Sequence, residues 1–107
     1  MIKTIKKPLK KTTSEVFASI DKGLNSGDYL ISLHGRKRGL ERKVNALHIV
    51  QALRSPNRRH EPKKDKYEEG MLDWNYSILS NDIEQRKLRI ILTFAEQLLI
   101  VTVIVLC

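Results

Sequence analysis

The apolar residues of this chain fall into two regimes, helical spacing through the first half and alternation near the end. Thr12 and Glu15 form the S/T-x-x-E pattern of a capping box, in which each side chain satisfies an otherwise unpaired backbone N–H. Val16, Phe17, Ile20 and Leu24 then follow at helical spacing, and Gly27, free to take positive φ, closes the segment. Residues 29–33 read as a short strand. Residues 34–43 read as a polar helix, in which Gly35 and Gly39 lower the intrinsic propensity. Asn45 is placed to cap a third helix with an apolar face of Ala46, Ile49, Val50 and Leu53, and Ser55-Pro56 stops it.

Residues 56–73 are polar and charged, and predict a long loop or a pair of short edge strands. Beyond them the period becomes two. Trp74, Tyr76 and Ile78 share one face of a strand. Leu88, Ile90, Leu92 and Phe94 share one face of a second strand over 87–94. A turn at 95–97 leads to a third strand over 98–106, apolar on both faces and therefore expected at the centre of its sheet. Three strands joined by short turns predict an antiparallel meander. Helices first and strands last predict an α+β fold, with the N-terminal helices packed on a small antiparallel β-sheet. Residues 1–11, with five lysines and Pro8, predict a flexible basic arm, leaving residues 12–107 as one domain.

Charge sharpens this picture. The net charge is +8, and it is unevenly placed. Residues 1–66 hold 17 Lys and Arg against 6 Asp and Glu, whereas residues 67–107 hold 3 against 6. A basic front half suits a polyanion or an acidic protein partner, and a merely solvated basic surface is the competing explanation. The single cysteine, Cys107, allows neither an intramolecular disulfide nor a cysteine-based zinc site, which fits a reducing, cytoplasmic setting. The basic start lacks the apolar stretch of a signal peptide, and the apolar run 98–107 is too short for a membrane-spanning helix.

The residues best suited to chemistry are His34, Arg38 and Arg42, whose i, i+4, i+8 spacing places them along one helix face. Like charges at this spacing disfavour an isolated helix, a cost that a bound anion would relieve. His34 also lies near a strand-to-helix junction, where free backbone N–H groups favour phosphate. RNA cleavage suits such a set. RNA supplies its own 2′-hydroxyl nucleophile, His34 could serve as base or acid near neutral pH, and the arginines could stabilise charge on the phosphoryl oxygens. Arg89, which alternates away from its strand's apolar face, and Tyr76 are further candidates, although Tyr76 shares its face with Trp74 and Ile78 and suits a core role better. Arg36, Lys37, Arg58, Arg59, Lys63 and Lys64 are additional cations expected to meet RNA phosphates.

Other chemistries are disfavoured. His34, His48 and His60 lack metal-ligand spacing, so no metal or cofactor is expected. P-loop, dinucleotide and G-x-S-x-G motifs are missing from the sequence. His48 reads as structural, and Glu68, Glu69 and Asp73 as a solvated acidic loop.

Ser32-x-His34-Gly35-x-x-Arg38-x-x-x-Arg42-x-Val44 resembles the S/T-x-H-A-x-x-R-x-x-x-R-x-I opening of the small domains grouped as the domain of unknown function DUF4258. Trp74-x-Tyr76-x-Ile78, Arg86-Lys87-Leu88-Arg89-Ile90 and the segment 99–104 resemble its second half, so the likeness spans residues 29–105. It departs at Gly35, where alanine is usual and a looser helix start follows. The resemblance implies a RelE-like or MqsR-like fold and a metal-independent endoribonuclease of a bacterial type II toxin–antitoxin pair. Such a toxin acts on mRNA, on the ribosome or free, and is neutralised by a cognate antitoxin. His34, Arg38 and Arg42 would carry the reaction, with Arg89 and Tyr76 matching by position. The alternative is a non-catalytic basic module that binds nucleic acid or protein. An apolar last strand left at an edge could also pair two copies in a homodimer.

Overall fold

The computed structural model describes residues 7–106 of the chain. The start of the basic arm and Cys107 lie outside the described residues. The elements run α1 (Thr13–Ser26), β1 (Tyr29–Ile31), α2 (Leu33–Arg42), α3 (Ala46–Arg54), β2 (Arg59–His60), a 3-10 turn (Pro62–Lys64), β3 (Lys66–Glu68), β4 (Asp73–Asn81), β5 (Lys87–Thr93) and β6 (Leu98–Leu106). The fold is α+β, with α1 and α3 packed on a sheet ordered β1-β6-β5-β4-β2, α2 against the β6 edge beyond β1, and β3 paired to β4.

Local chemistry explains the helices. Thr12 and Glu15 make the reciprocal capping box at the start of α1, and Gly27 ends it at φ 73°. Asn45 and His48 make the same reciprocal arrangement for α3. The imidazole Nδ1 there accepts from the Asn45 N–H, the place usually taken by a Glu or Gln side chain. Val16, Ile20 and Leu24 of α1 and Ile49, Ala52 and Leu53 of α3 pack on Tyr76, Ile78, Leu88, Ile90, Leu92, Ile100 and Val103 of the sheet. Each large side chain taken fully from water in such a layer contributes about 1.5–3 kcal/mol.

The sheet is mixed, which corrects the expectation of a purely antiparallel one. β4, β5 and β6 form the meander, but β1 pairs parallel to β6, with Tyr29 opposite Leu98 and Ile31 opposite Ile100. This pairing joins segments about seventy residues apart and left no local mark. The segment 56–73 forms the short pair β2 and β3, both antiparallel to β4. A bulge between β5 and β6 sets Thr102 opposite Ile91 and Ile100 opposite Leu92, leaving Val101 unmatched.

Residues 8–11 are not a free arm. The Trp74 indole N–H donates to the Pro8 carbonyl, Lys10 pairs with Asp65 at 3.0 Å, and the Lys11 N–H donates to the Tyr76 hydroxyl. The sheet edge offers buried acceptors and aromatic faces that hold these lysines: Lys10 lies over Trp74 and Lys11 over Phe94.

Candidate nucleic-acid interface

The position of α2 follows from Ser32, Gly35 and Gly39. β1 covers only Leu98–Ile100 of its neighbour, and α2 takes over where it stops. The Ser32 N–H donates to the Ile100 carbonyl. Its hydroxyl donates to the carbonyl of the bulged Val101 at 2.7 Å and accepts from the Gly35 N–H at 2.9 Å. A Cβ on Gly35 would lie 3.2 Å from the Val101 oxygen and 3.3 Å from the Ile100 oxygen, and one on Gly39 would collide with the Val44 carbonyl. The two glycines therefore form the contact stripe that lets the helix sit against backbone. They do not loosen its start, as the sequence reading had it.

With the stripe fixed, the other residues fall on two flanks, since each residue turns the helix by about 100°. Arg36, Leu40 and Lys43 border a hollow shared with α3. His34, Arg38 and Arg42 lie together on the opposite flank, in the register their spacing predicts. His34 is exposed. Arg38 is exposed and pairs with Glu41 at 3.2 Å, a contact shared with solvent and worth a few tenths of a kcal/mol. Arg42 is half-buried, and its Nη1 is closed off from solvent without a partner among the described residues.

Tyr76 and Arg89 do not join them. Leu79 stands opposite Arg89, and Tyr76 opposite Leu92, so the two side chains leave β4 and β5 on opposite faces. Tyr76 is buried in the core between His60 and Phe94, and its hydroxyl accepts from the Lys11 N–H; burial pushes its pKa up. Arg89 emerges on the face away from the helices, where it donates to both oxygens of Glu61 at 2.8 and 3.0 Å. That bidentate contact holds the Glu61 carboxyl below its usual range and raises Arg89 further. Neither group is free to act on a phosphate bound at α2.

The remaining cations divide by whether a carboxylate neutralises them. Arg58 is structural: it grips Asp21 at 2.6 and 3.1 Å, donates to the Leu53 carbonyl and lies 4.4 Å over the Phe17 ring. The expectation that it meets RNA is corrected on that ground. Among the described residues no carboxylate lies within ion-pair distance of Arg36, Lys37, Arg42, Lys43, Arg59, Lys63, Lys64 or Lys66. Lys63, Lys64 and Lys66 rim a cleft of about 420 Å³ on the helix-free face of the sheet, floored by Ser77, Arg89 and Ile91. Asn75 lines the same cleft, and its Oδ1 is buried without a partner.

Two buried polar centres escaped sequence reasoning. Arg86 reaches across from the β4–β5 connection. It donates to Asp82, to the carbonyls of Arg42 and Lys43 at 3.0 Å, and pairs with Glu84 at 2.8 Å, so it caps the end of α2. Burial opposes the charge on Asp82, but the Arg86 hydrogen bonds overcome it and hold that carboxyl low. His48, Asp82 and Glu84 bring donor atoms within 4.8 Å of one another, yet the Arg86 guanidinium already supplies the positive charge a metal would bring. The second centre is a line of contacts from Thr13 Oγ1 to His60 Nδ1 at 2.8 Å and from His60 Nε2 to Asp65 at 2.7 Å, with the Ser77 N–H on the other Asp65 oxygen. Only the polarity of 56–66 hinted at the second centre; Asp82, Glu84 and Arg86 are close in sequence, but their tie to the end of α2 spans about forty residues.

No family model, curated protein or solved structure matches this chain. No helix among the described residues is long and apolar enough to cross a membrane.

Proposed function

We propose that this protein binds the phosphate backbone of RNA, using the His34–Arg38–Arg42 flank of α2 and the lysines of the β2–β3 corner. The observation that carries this reading is the division of the cations. Asp21, Glu61, Asp65, Asp82 and Glu84 hold Arg58, Arg89, Lys10 and Arg86 in structural contacts. Among the described cations left without a carboxylate, Arg42 lies on that flank of α2, and Lys63, Lys64 and Lys66 rim one cleft. Arg36, Lys37 and Lys43 stand elsewhere on α2 and its cap, and Lys22, Arg54, Arg59 and Lys87 are spread over other elements. Such cations release counterions from a polyanion, and affinity then falls steeply with salt. If about five phosphates are held, the log–log slope against single-stranded RNA is about −3 to −4. Fluorescence anisotropy of a labelled mixed-sequence RNA across a salt series tests this. Lys63→Glu with Lys64→Glu should flatten the slope by about 1.4 or more. No affinity even at low salt, or an unchanged slope in that variant, refutes the reading.

A second reading is favoured by one observation, the exposed His34 imidazole on the same flank of α2 as Arg38 and the half-buried Arg42. In it the protein is a metal-independent endoribonuclease, a cytoplasmic toxin held in check by an antitoxin protein. His34 takes the 2′-hydroxyl proton, the 2′-oxygen attacks phosphorus, and the 5′-oxygen leaves with a proton delivered by an acid, giving a 2′,3′-cyclic phosphate. Arg38 and Arg42 stabilise the phosphoryl charge. RNA incubated with the protein in chelator should be cut, and His34→Ala should lose about 10²-fold or more. Equal cleavage by both proteins, or none by either with and without ribosomes, rejects the ribonuclease and leaves the binding reading standing.

A further inference from the structure

A hollow of about 670 Å³ lies on the other flank of α2 from His34 and is neither described above as a site nor used by the RNA reading. Ile31, Val44 and Ile49 line it together with Gly35 and Gly39, which leave it open because they have no side chains. Its rim is cationic, bordered by Arg36 and Lys43. Neither has a carboxylate partner among the described residues.

The apolar surface runs beyond the hollow. Leu40, on its border, is 82% exposed, and Leu33, two turns earlier on the same side of α2, is 87% exposed. Large aliphatic side chains this open beside an apolar hollow cost solubility unless a partner covers them.

We propose that this groove is the docking site for an acidic amphipathic helix of another protein, its apolar stripe on Leu33, Leu40 and Ile49 and its carboxylates on Arg36 and Lys43. Charge selects the occupant. A second copy of this chain would bring the same cations face to face, and like charges in contact oppose association. A small apolar acid would fill the hollow but leave Leu33 in water. A helix some four turns long covers the hollow and the flanking leucines together, the arrangement in which apolar anchors recur at i, i+3, i+4 and i+7. This inference stands apart from the RNA reading, since it rests on the opposite flank of α2.

The test is selection from a displayed library of about 20-residue helices with a fixed apolar stripe and randomised flanks, on the full chain and on Leu40→Glu. Leu40 is exposed, so the variant should fold, and an unchanged thermal melt verifies that. Enriched helices should carry Asp and Glu beside the stripe. They should lose at least tenfold in affinity to Leu40→Glu and to Arg36→Glu, and keep it with Lys63→Glu and Lys64→Glu. Amide shifts on binding should centre on Gly35, Gly39 and Ile49. No enrichment, enrichment of basic flanks, or equal binding to Leu40→Glu overturns the proposal. A concentration-dependent dimer that Leu40→Glu abolishes overturns it in favour of a second copy.

Discussion

The two basic regions of this protein use charge in opposite ways. On α2, His34, Lys37 and Arg38 stand in solvent, and the one ion pair among them, Arg38–Glu41, is open to water. At the corner formed by β2, the 3-10 turn and β3, Lys63, Lys64 and Lys66 line the rim, but His60, Glu61 and Asp65 are structural. His60 and Asp65 have side chains 1% and 0% exposed, Asp65 accepts from the Ser77 N–H and pairs with Lys10, and Glu61 grips Arg89. Each region holds four Lys and Arg, against one carboxylate on α2 and three at the corner. The difference is the number of partners each charge finds after folding. Where partners are complete, the charges hold the sheet edge and the N-terminal segment in place. Where they are not, the charges remain available to a ligand.

The largest effect should come from breaking the closed corner. Asp65→Ala removes the acceptor shared by His60, Lys10 and the Ser77 N–H and should cost about 3–5 kcal/mol in urea unfolding. His34→Ala on the open flank should change stability by less than about 0.5 kcal/mol. Similar costs for the two would erase the contrast. Next comes the support beneath the open flank. Gly39→Ala would normally gain about 1 kcal/mol in a helix. Here the added methyl meets the Val44 carbonyl, and the expected result is a loss of about 1–3 kcal/mol with weakened RNA affinity, read by thermal melting and anisotropy.

The smallest effect is on pH dependence. Glu61 and Asp21 have carboxyls lowered by Arg89 and Arg58 respectively, so the unfolded chain binds more protons than the folded one just below the usual carboxylate range. Their stabilisation is complete above about pH 4.5 and is lost as pH falls through the lowered values. Glu61→Gln should cost about 1 kcal/mol at neutral pH and shallow the acid limb of the stability curve. An acid limb of unchanged steepness would show that the Arg89 contact does not bear on folding.

Much of the architecture was legible where the signal is local. The Thr12–Glu15 box, the Asn45 cap, the stop at Ser55-Pro56 and the three meander strands all stand as their residues indicated, with β5 ending at Thr93, one residue early. The i, i+4, i+8 alignment of His34, Arg38 and Arg42 also held, because helix geometry alone decides it. Tyr76 and Arg89 were placed with that flank by motif position. Their separation follows from β4–β5 register, which sends Tyr76 into the core and Arg89 to the other face.

By itself, then, the order of residues determined the helices, their caps and the alternating strands, since each depends on neighbours within a turn or a hairpin. Only the tertiary structure decided that β1 runs parallel to β6, that Gly35 and Gly39 are a contact stripe against backbone, and which cations remain without a carboxylate. Those outcomes depend on groups far apart in the chain, such as Ser32 with Val101, Arg58 with Asp21 and Arg89 with Glu61, whose meeting is set by packing and not by local preference.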